Sequence, residues 1–463
     1  MPNAEQSSVT KRNLIVVSNR LPLSVKRTED GSYTSSMSSG GLVTSLSGLT
    51  KTTEFRWFGW PGMSPQEPAE QEKIRQSLGA HNAIPVFLDE ELANRHYNGF
   101  SNQILWPTLH YQSGVAFDDG PWEAYKKVNE IFADYIADAA QEEDLVWVHD
   151  YHLMLLPRLL RERMAKKKRQ ACIGFSLHTP FPASEAMRTL PVAKELLQGL
   201  LSSTLVGFHT EDYRLNFVES CQYLLNARAQ DSSILYKDRL VKTGRFTVGI
   251  DPEKFNDTLR KGEVQARIKQ LNERYKEIKV ILGVDRLDYI KGLTQKLHGF
   301  EQFLTDNPRW QGKVVLVQVA VPSREDVKEY QELETQISCL VGKINGKFSQ
   351  PEYTPIVYLH RSIPFTELTA LYSIADMCLL TSSRDGMNLV AFEYIACQEQ
   401  RHGVLALSEF AGASVFMAEG TVAFHPANIK EMSQAINKGL TMSRDERTER
   451  YKKLERFVNR NTR

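Results

Sequence analysis

Residues 279–293 read KVILGVDRLDYIKGL. After Lys279 the run is apolar without alternation, the pattern of a parallel strand covered by helices on both faces. Arg286 closes that strand. Five residues on, Lys291 stands just ahead of a helical pattern over 293–304. Two cations beside a helix N-terminus describe a cradle for a diphosphate, because side chains, free backbone N–H groups and helix dipole favour the same negative charge. The plain alternative is an Arg and a Lys exposed beside acidic neighbours.

The same rhythm extends in both directions. Runs at 14–18 (LIVVS), 56–59, 83–88, 145–149, 172–178 and 205–209 read as strands, and so do 313–321, 355–359, 377–381, 404–408 and 421–424. Amphipathic stretches such as 122–138 and 153–166 lie between them. Repeated βα units on this scale predict an α/β protein. Its architecture is expected to be two Rossmann-like, doubly wound parallel-sheet domains facing across a deep cleft. The expected division is a flexible tail over 1–12, a first domain over 13–250, a second over 251–442 and a helical segment over 443–463. The seam falls near 248–255 (VGIDPEKF), where Asp251-Pro252 opens a turn and a polar helix over 262–276 follows. In such sheets a ligand sits outside the carboxyl ends of the strands.

Composition narrows the function. Lys+Arg number 57 against 56 Asp+Glu in 463 residues, a balance that argues against a dedicated nucleic-acid binder. No apolar run approaches the roughly 18 residues of a bilayer span, and residues 1–11 lack the apolar centre of a leader peptide. Five scattered cysteines, never spaced as CxxC, suit reduced thiols in a cytoplasmic protein and neither a disulfide framework nor a zinc site.

Several strand ends carry chemistry. Arg20 follows the first strand, where a bound anion would lie. Residues 38–42 (SSGGL) precede apolar residues at helical spacing, so Gly40 and Gly41 let the backbone approach a phosphate, or form a loop only. No GxGxxG follows the first strand, which removes the dinucleotide reading. In 149–152 (HDYH), Asp150 can accept sugar hydroxyls. His149 and His152 lack a third ligand at useful spacing, so no metal is expected. In 176–182 (SLHTPFP), His178 alone reads best as a core group bonded to backbone. Residues 321–324 (VPSR) bring Arg324 to another strand end. In 385–393 (DGMNLVAFE), a tight loop opens a helix over 389–396, and Asp385 and Glu393 bracket its N-terminus. Three stretches mislead. GKINGKF at 342–348 has the wrong spacing for a P-loop, KKKR at 166–169 reads as a solvated helix end, and Asp118-Asp119 is not an Asp-x-Asp metal arrangement.

Taken in order, VVSNR, SSGGL, YNGFSNQILWP, WVHDYHLMLLP, LHTPFP, VDRLDYIKGL, RDGMNLVAFEY and LSEFAGA closely resemble the trehalose-6-phosphate synthases, glycosyltransferases of family 20. The match spans residue 14 to about residue 442. The resemblance implies a retaining, metal-independent glucosyltransferase of GT-B architecture that needs no cofactor. It would move glucose from UDP-glucose to glucose 6-phosphate, giving alpha,alpha-trehalose 6-phosphate and UDP, the first step of trehalose biosynthesis. By motif position, Arg20, Tyr97, Trp106, Asp150 and Arg324 would hold glucose 6-phosphate, with Trp106 offering a face to the sugar ring. Gly40, Gly41, Arg286, Lys291, Ile363, Leu389, Val390, Ala391, Phe392 and Glu393 would hold UDP-glucose, Glu393 taking the ribose. His178 and Asp385 would place the donor glucose, and with Arg286 and Lys291 they form the expected catalytic set. The terminal helix stops in mid-pattern and is expected to be trimmed. The resemblance leaves open a homo-oligomer or a complex with a trehalose-phosphate phosphatase. A non-catalytic, sugar-phosphate-sensing subunit of the same fold is the competing reading. A nicotinamide-dependent oxidoreductase is disfavoured by the missing glycine fingerprint.

Overall fold

Each apolar run is a strand in the computed structural model, which describes residues 13–37, 53–112 and 114–461. The tail over 1–12 and the pair Gly40 and Gly41 lie outside the described residues. The described chain divides into two units, one from Asn13 to Phe246 and one from Thr247 to Asn461.

The first unit holds β1 (Leu14–Arg20), β2 (Leu23–Arg27), β3 (Tyr33–Met37), β4 (Phe55–Trp60), β5 (Ala83–Pro85), β6 (Leu145–His149), β7 (Cys172–Ser176), β8 (Leu205–Phe208), β9 (Arg228–Gln230), β10 (Ser233–Tyr236) and β11 (Arg239–Arg245). They build a nine-stranded sheet in the order β5-β4-β1-β6-β7-β8-β11-β10-β9, with β2 and β3 as a separate hairpin. Pairing is parallel from β5 to β11, and β9 and β10 are antiparallel. Strand β5 stops at Pro85, short of the expected 83–88. Proline has no N–H to donate, and β5 lies at the sheet edge.

The second unit holds β12 (Lys279–Arg286), β13 (Val314–Val321), β14 (Ile356–Leu359), β15 (Met377–Leu380), β16 (Val404–Ser408) and β17 (Val422–Phe424). Their order is β14-β13-β12-β15-β16-β17, all parallel. Counted from β12, this is the 3-2-1-4-5-6 order of a dinucleotide-type doubly wound sheet, and the parallel part of the first sheet repeats it from β1. Strand β12 shows why the run is apolar throughout. Val280, Leu282 and Val284 enter one core with Tyr372, Phe392 and Leu454, while Ile281 enters the other with Leu297, Phe300 and Ile337. Both faces are covered, so both parities are mainly apolar.

Three local features stand out from this regular plan. Residues Arg95–Leu105 form a π-helix, and the Trp106 N–H donates to the Ser101 carbonyl, five residues back. Stretches of this wider helix collect at functional sites. The lysine- and glycine-rich 342–348 lies inside the helix Lys328–Phe348, so it makes no phosphate-binding loop. The last helix, Arg444–Arg460, is capped by Ser443 and buries Tyr451, Leu454 and Val458 in the second unit. The Asn461 carbonyl then lies where a β-carbon on Gly249 would stand, at 1.6 Å, and Thr247 Oγ1 donates to Asn461 Oδ1 at 3.4 Å. Among the described residues no helix is long and apolar enough to cross a membrane.

One charged pair is buried in this second core. Lys296 and Asp285 are ion-paired at 0% and 1% side-chain exposure, and Gln318 Nε2 donates to the same carboxylate oxygen at 3.0 Å. Removing one partner strands a charge away from water. Lys296→Met is therefore expected to lower stability by about 3–5 kcal/mol in urea unfolding, with Asp285→Asn on top restoring much of the loss.

Candidate active site

In each sheet the strand order reverses beside the first strand, so two carboxyl ends there lack a covering crossover. The first reversal lies between β1 and β6, and both strands end in candidate residues. Arg20, opposite Trp60 in the pairing of β1 and β4, sets its guanidinium 4.8 Å from the Trp60 ring and 5.6 Å from the Tyr97 ring. Two aromatic faces hold the cation without neutralising it. Trp60 was not among the expected residues, although its place at the end of β4 is the signal that could have found it. Tyr97 stacks in turn on His152, ring centroids 5.6 Å apart at 10°.

Asp150 takes a φ of 73°, in the left-handed region that a side chain avoids. Two contacts hold it there. Its N–H donates to the Ser176 carbonyl at 2.8 Å, and its Oδ1 accepts from the His178 N–H at 3.2 Å. Trp106 departs from the expected open sugar platform. It is 7% exposed, with its ring centroid 4.1 Å from that of His110 and 5.5 Å from that of Tyr151. The reason is local, since Trp106 begins the short helix Trp106–Leu109, which is buried throughout.

His178 is a linked group. Its Nε2 lies 2.9 Å from His149 Nδ1, its Nδ1 lies 3.2 Å from His209 Nε2, and His209 Nδ1 lies 3.2 Å from the Phe246 carbonyl. Burial pushes His178 down to about 4. Burial first, and the neighbouring His178 and His209 after it, hold His149 well below the ordinary histidine value. His149 and His209 were not assigned roles, because one histidine at the end of each of three distant strands shows no spacing to notice.

The second reversal lies between β12 and β15. Gly292 turns the chain there with a φ of 63°, and a β-carbon on it would stand 2.2 Å from the Thr381 carbonyl. Only glycine allows that approach. Thr381 Oγ1 donates to the Lys291 carbonyl at 3.0 Å, fastening the turn to the end of β15. Lys291 Nζ thereby meets Asp385 Oδ2 at 2.6 Å. The same oxygen accepts from Ser382 Oγ at 3.2 Å and Asn388 Nδ2 at 2.9 Å. Arg286, with 44% of its side chain exposed, reaches Asp288 Oδ2 at 3.3 Å. Arg324 reaches the same oxygen at 3.2 Å, with 2% side-chain exposure, and lies over the Tyr330 ring. Arg324 is thus a buried, paired cation of the second unit.

The helix Leu389–Ala396 starts beside Asp385, preceded by Asn388 at a φ of 67°. Ala391 and Phe392 are fully buried. Leu389 and Val390 are half-buried in the first turn. Glu393 accepts a hydrogen bond from the Tyr372 hydroxyl at 2.8 Å, and burial raises its carboxyl above the ordinary value of 4.5. Ile363 is half-buried against the same core, just ahead of the helix Phe365–Ile374.

Known proteins share this fold. The model of glycosyltransferase family 20 matches residues 12–463. This chain belongs to glycosyltransferase family 20. It is 53% identical over 466 residues to the alpha,alpha-trehalose-phosphate synthase [UDP-forming] of Emericella nidulans, covering 100% of this chain and 92% of that protein. Its fold matches an alpha,alpha-trehalose-phosphate synthase (UDP-forming) from Burkholderia xenovorans in complex with glucose-6-phosphate, at TM-score 0.85, 31% identity and 97% of each chain. It also matches the N-terminal domain of Candida albicans trehalose-6-phosphate phosphatase, at TM-score 0.89 and 30% identity over 100% of this chain and 96% of that one. As a family 20 member with these neighbours, the chain has the GT-B architecture.

Glu393 supplies a test of the site's electrostatics. Its folded carboxyl titrates above the unfolded value, so the stability from holding that proton is full below the ordinary carboxylate range. It is lost as pH rises through the folded value. Glu393→Gln, which cannot ionise, is expected to melt higher than the parent near neutral pH. The gap should close as the buffer approaches about pH 4, with thermal unfolding across a pH series as the readout.

Proposed function

We propose that this chain is a UDP-glucose-dependent glucosyltransferase that delivers glucose to glucose 6-phosphate with retention of configuration, forming alpha,alpha-trehalose 6-phosphate and UDP. The observation that carries the reading is the gathering of Arg286, the Lys291–Asp385 pair and a helix start at the β12–β15 reversal. The family membership and the 53% identity to a UDP-forming synthase support the same activity.

Breaking the anomeric C–O bond puts negative charge on the departing diphosphate and positive character on the sugar. In our reading Arg286 and Lys291 meet the diphosphate, with the N–H groups of Leu389 and Val390 behind them. A single well-placed donor of this kind is worth about 3 kcal/mol in the transition state. Asp385 holds Lys291 by charge and is assigned to the sugar hydroxyls, and Glu393 takes the ribose. Arg20, cradled but not neutralised by Trp60 and Tyr97, suits the acceptor phosphate, and Asp150 suits the acceptor hydroxyls. Arg324 is assigned to the same phosphate by motif position and would exchange Asp288 for it. We favour a front-face route in which the departing phosphate oxygen takes the acceptor proton. All five cysteines are free thiols, in keeping with a cytoplasmic protein.

The deciding experiment incubates the purified chain with UDP-glucose, glucose 6-phosphate and a chelator. Release of UDP together with a non-reducing disaccharide phosphate is expected, and its absence would sink the proposal. Lys291→Ala and Arg286→Ala should each lower kcat by about 10²–10³. Asp385→Asn with undiminished turnover would remove that residue from the mechanism, and a trapped glucosyl-enzyme would remove the front-face route. The competing reading, a non-catalytic sugar-phosphate sensor, draws on the likeness to a phosphatase N-terminal domain. It predicts ligand binding by calorimetry with no UDP released.

A further inference from the structure

Four neighbouring strands, β6, β7, β8 and β11, end along one edge of the first sheet, and the residue at or just past each end is one link in a chain. The links are His149, His178, His209 and the Phe246 carbonyl, joined at 2.9, 3.2 and 3.2 Å. A carbonyl can only accept, so His209 Nδ1 carries a hydrogen. In a neutral imidazole the other nitrogen is then an acceptor, so His209 Nε2 receives from His178 Nδ1. The same step makes His178 Nε2 receive from His149 Nδ1. One backbone carbonyl therefore sets the tautomer of three side chains. It leaves His149 Nε2, buried and without a hydrogen-bond partner among the described residues, as a bare lone pair.

The rings are held as well as bonded. His149 stacks on His178 at 5.2 Å and 17°, His178 meets His209 at 5.1 Å and 53°, and Trp147 lies against His149 at 4.5 Å. His149 and His209 are 0% and 3% exposed. Both nitrogens of His178 are committed within this chain, and its N–H is taken by Asp150. A ring so fixed has no proton to give.

We propose that His149 and His209 are positioning residues for sugar transfer, acting through His178 by locking its ring plane and its Nδ1–H tautomer. The proposal rests on the reading of His178 as a contact of the donor glucose. An uncharged ring beside a sugar that gains positive character in the transition state avoids a repulsion that a second cation would bring. A misplacement of about 1 Å at such a contact can cost roughly a hundredfold in rate.

The test joins spectroscopy to kinetics on the full chain. With ¹⁵N-labelled histidine, long-range ¹H–¹⁵N spectra of the unsubstituted protein are expected to show protonated Nδ1 and bare Nε2 at all three residues. His209→Leu, which breaks the last link, should lower kcat about tenfold to a hundredfold while KM for glucose 6-phosphate and affinity for UDP stay unchanged. His209→Gln, whose amide can donate to the Phe246 carbonyl and accept from His178, should recover most of that loss. An Nε2–H signature on His178, full kcat in His209→Leu, or equal loss in both variants would overturn the proposal. Unsubstituted protein that shows the tautomer pattern yet transfers no glucose would overturn the reaction itself, and the role in it together.

Discussion

The ion pair between Lys291 and Asp385 is the contact on which the proposed donor site depends. The two residues lie 94 positions apart, and nothing local brings them together. They meet because β12 and β15 are neighbours across the point where strand order reverses. The turn at Gly292 must press against the end of β15, and Thr381 must hold it there, before the amine reaches the carboxylate. A parallel sheet with a different strand order would keep every motif and lose the site. The constraint is topological first and electrostatic second.

The strands were legible because a strand buried on both faces is mainly apolar, and β6 and β16 appear with the bounds read from the sequence. The elements that escaped have weak or ambiguous signals. Strand β9 is exposed at every position, and the hairpin of β2 and β3 is mostly exposed, so neither carries an apolar run. The π-helix at Arg95–Leu105 escaped because its repeat is wider than the 3.6-residue period on which a helix is recognised. Among site residues, Arg286, Lys291 and Asp385 were readable as charges at strand ends. Trp60, Asp288, His149 and His209 were not, because each gains its role from a neighbour that only folding supplies.

Each of the two strand-order reversals also holds arrangements that stability alone would not select. Asp150 sits in a strained backbone conformation, Glu393 is a carboxyl under burial pressure, and Asp288 shares one oxygen between two guanidinium groups. Strain and buried charge of this kind persist where the surroundings over-determine them, and they mark positions kept for chemistry. Asp288 stands out among these because, before any ligand arrives, it satisfies the same cations that a phosphate would seek. In the proposed reaction an incoming phosphate would compete with this resident carboxylate.

The clasp between Asn461 and residues 247–249 has a further meaning. Within the second unit the turn at 247–249 lies against the backbone of Asn461. Any side chain at position 249 would unfasten it, and with it the seating of Phe457 against Phe392 and Phe416. Fraying of the final helix would thus travel inward to the donor helix through a shared aromatic stack, with no change at the site itself.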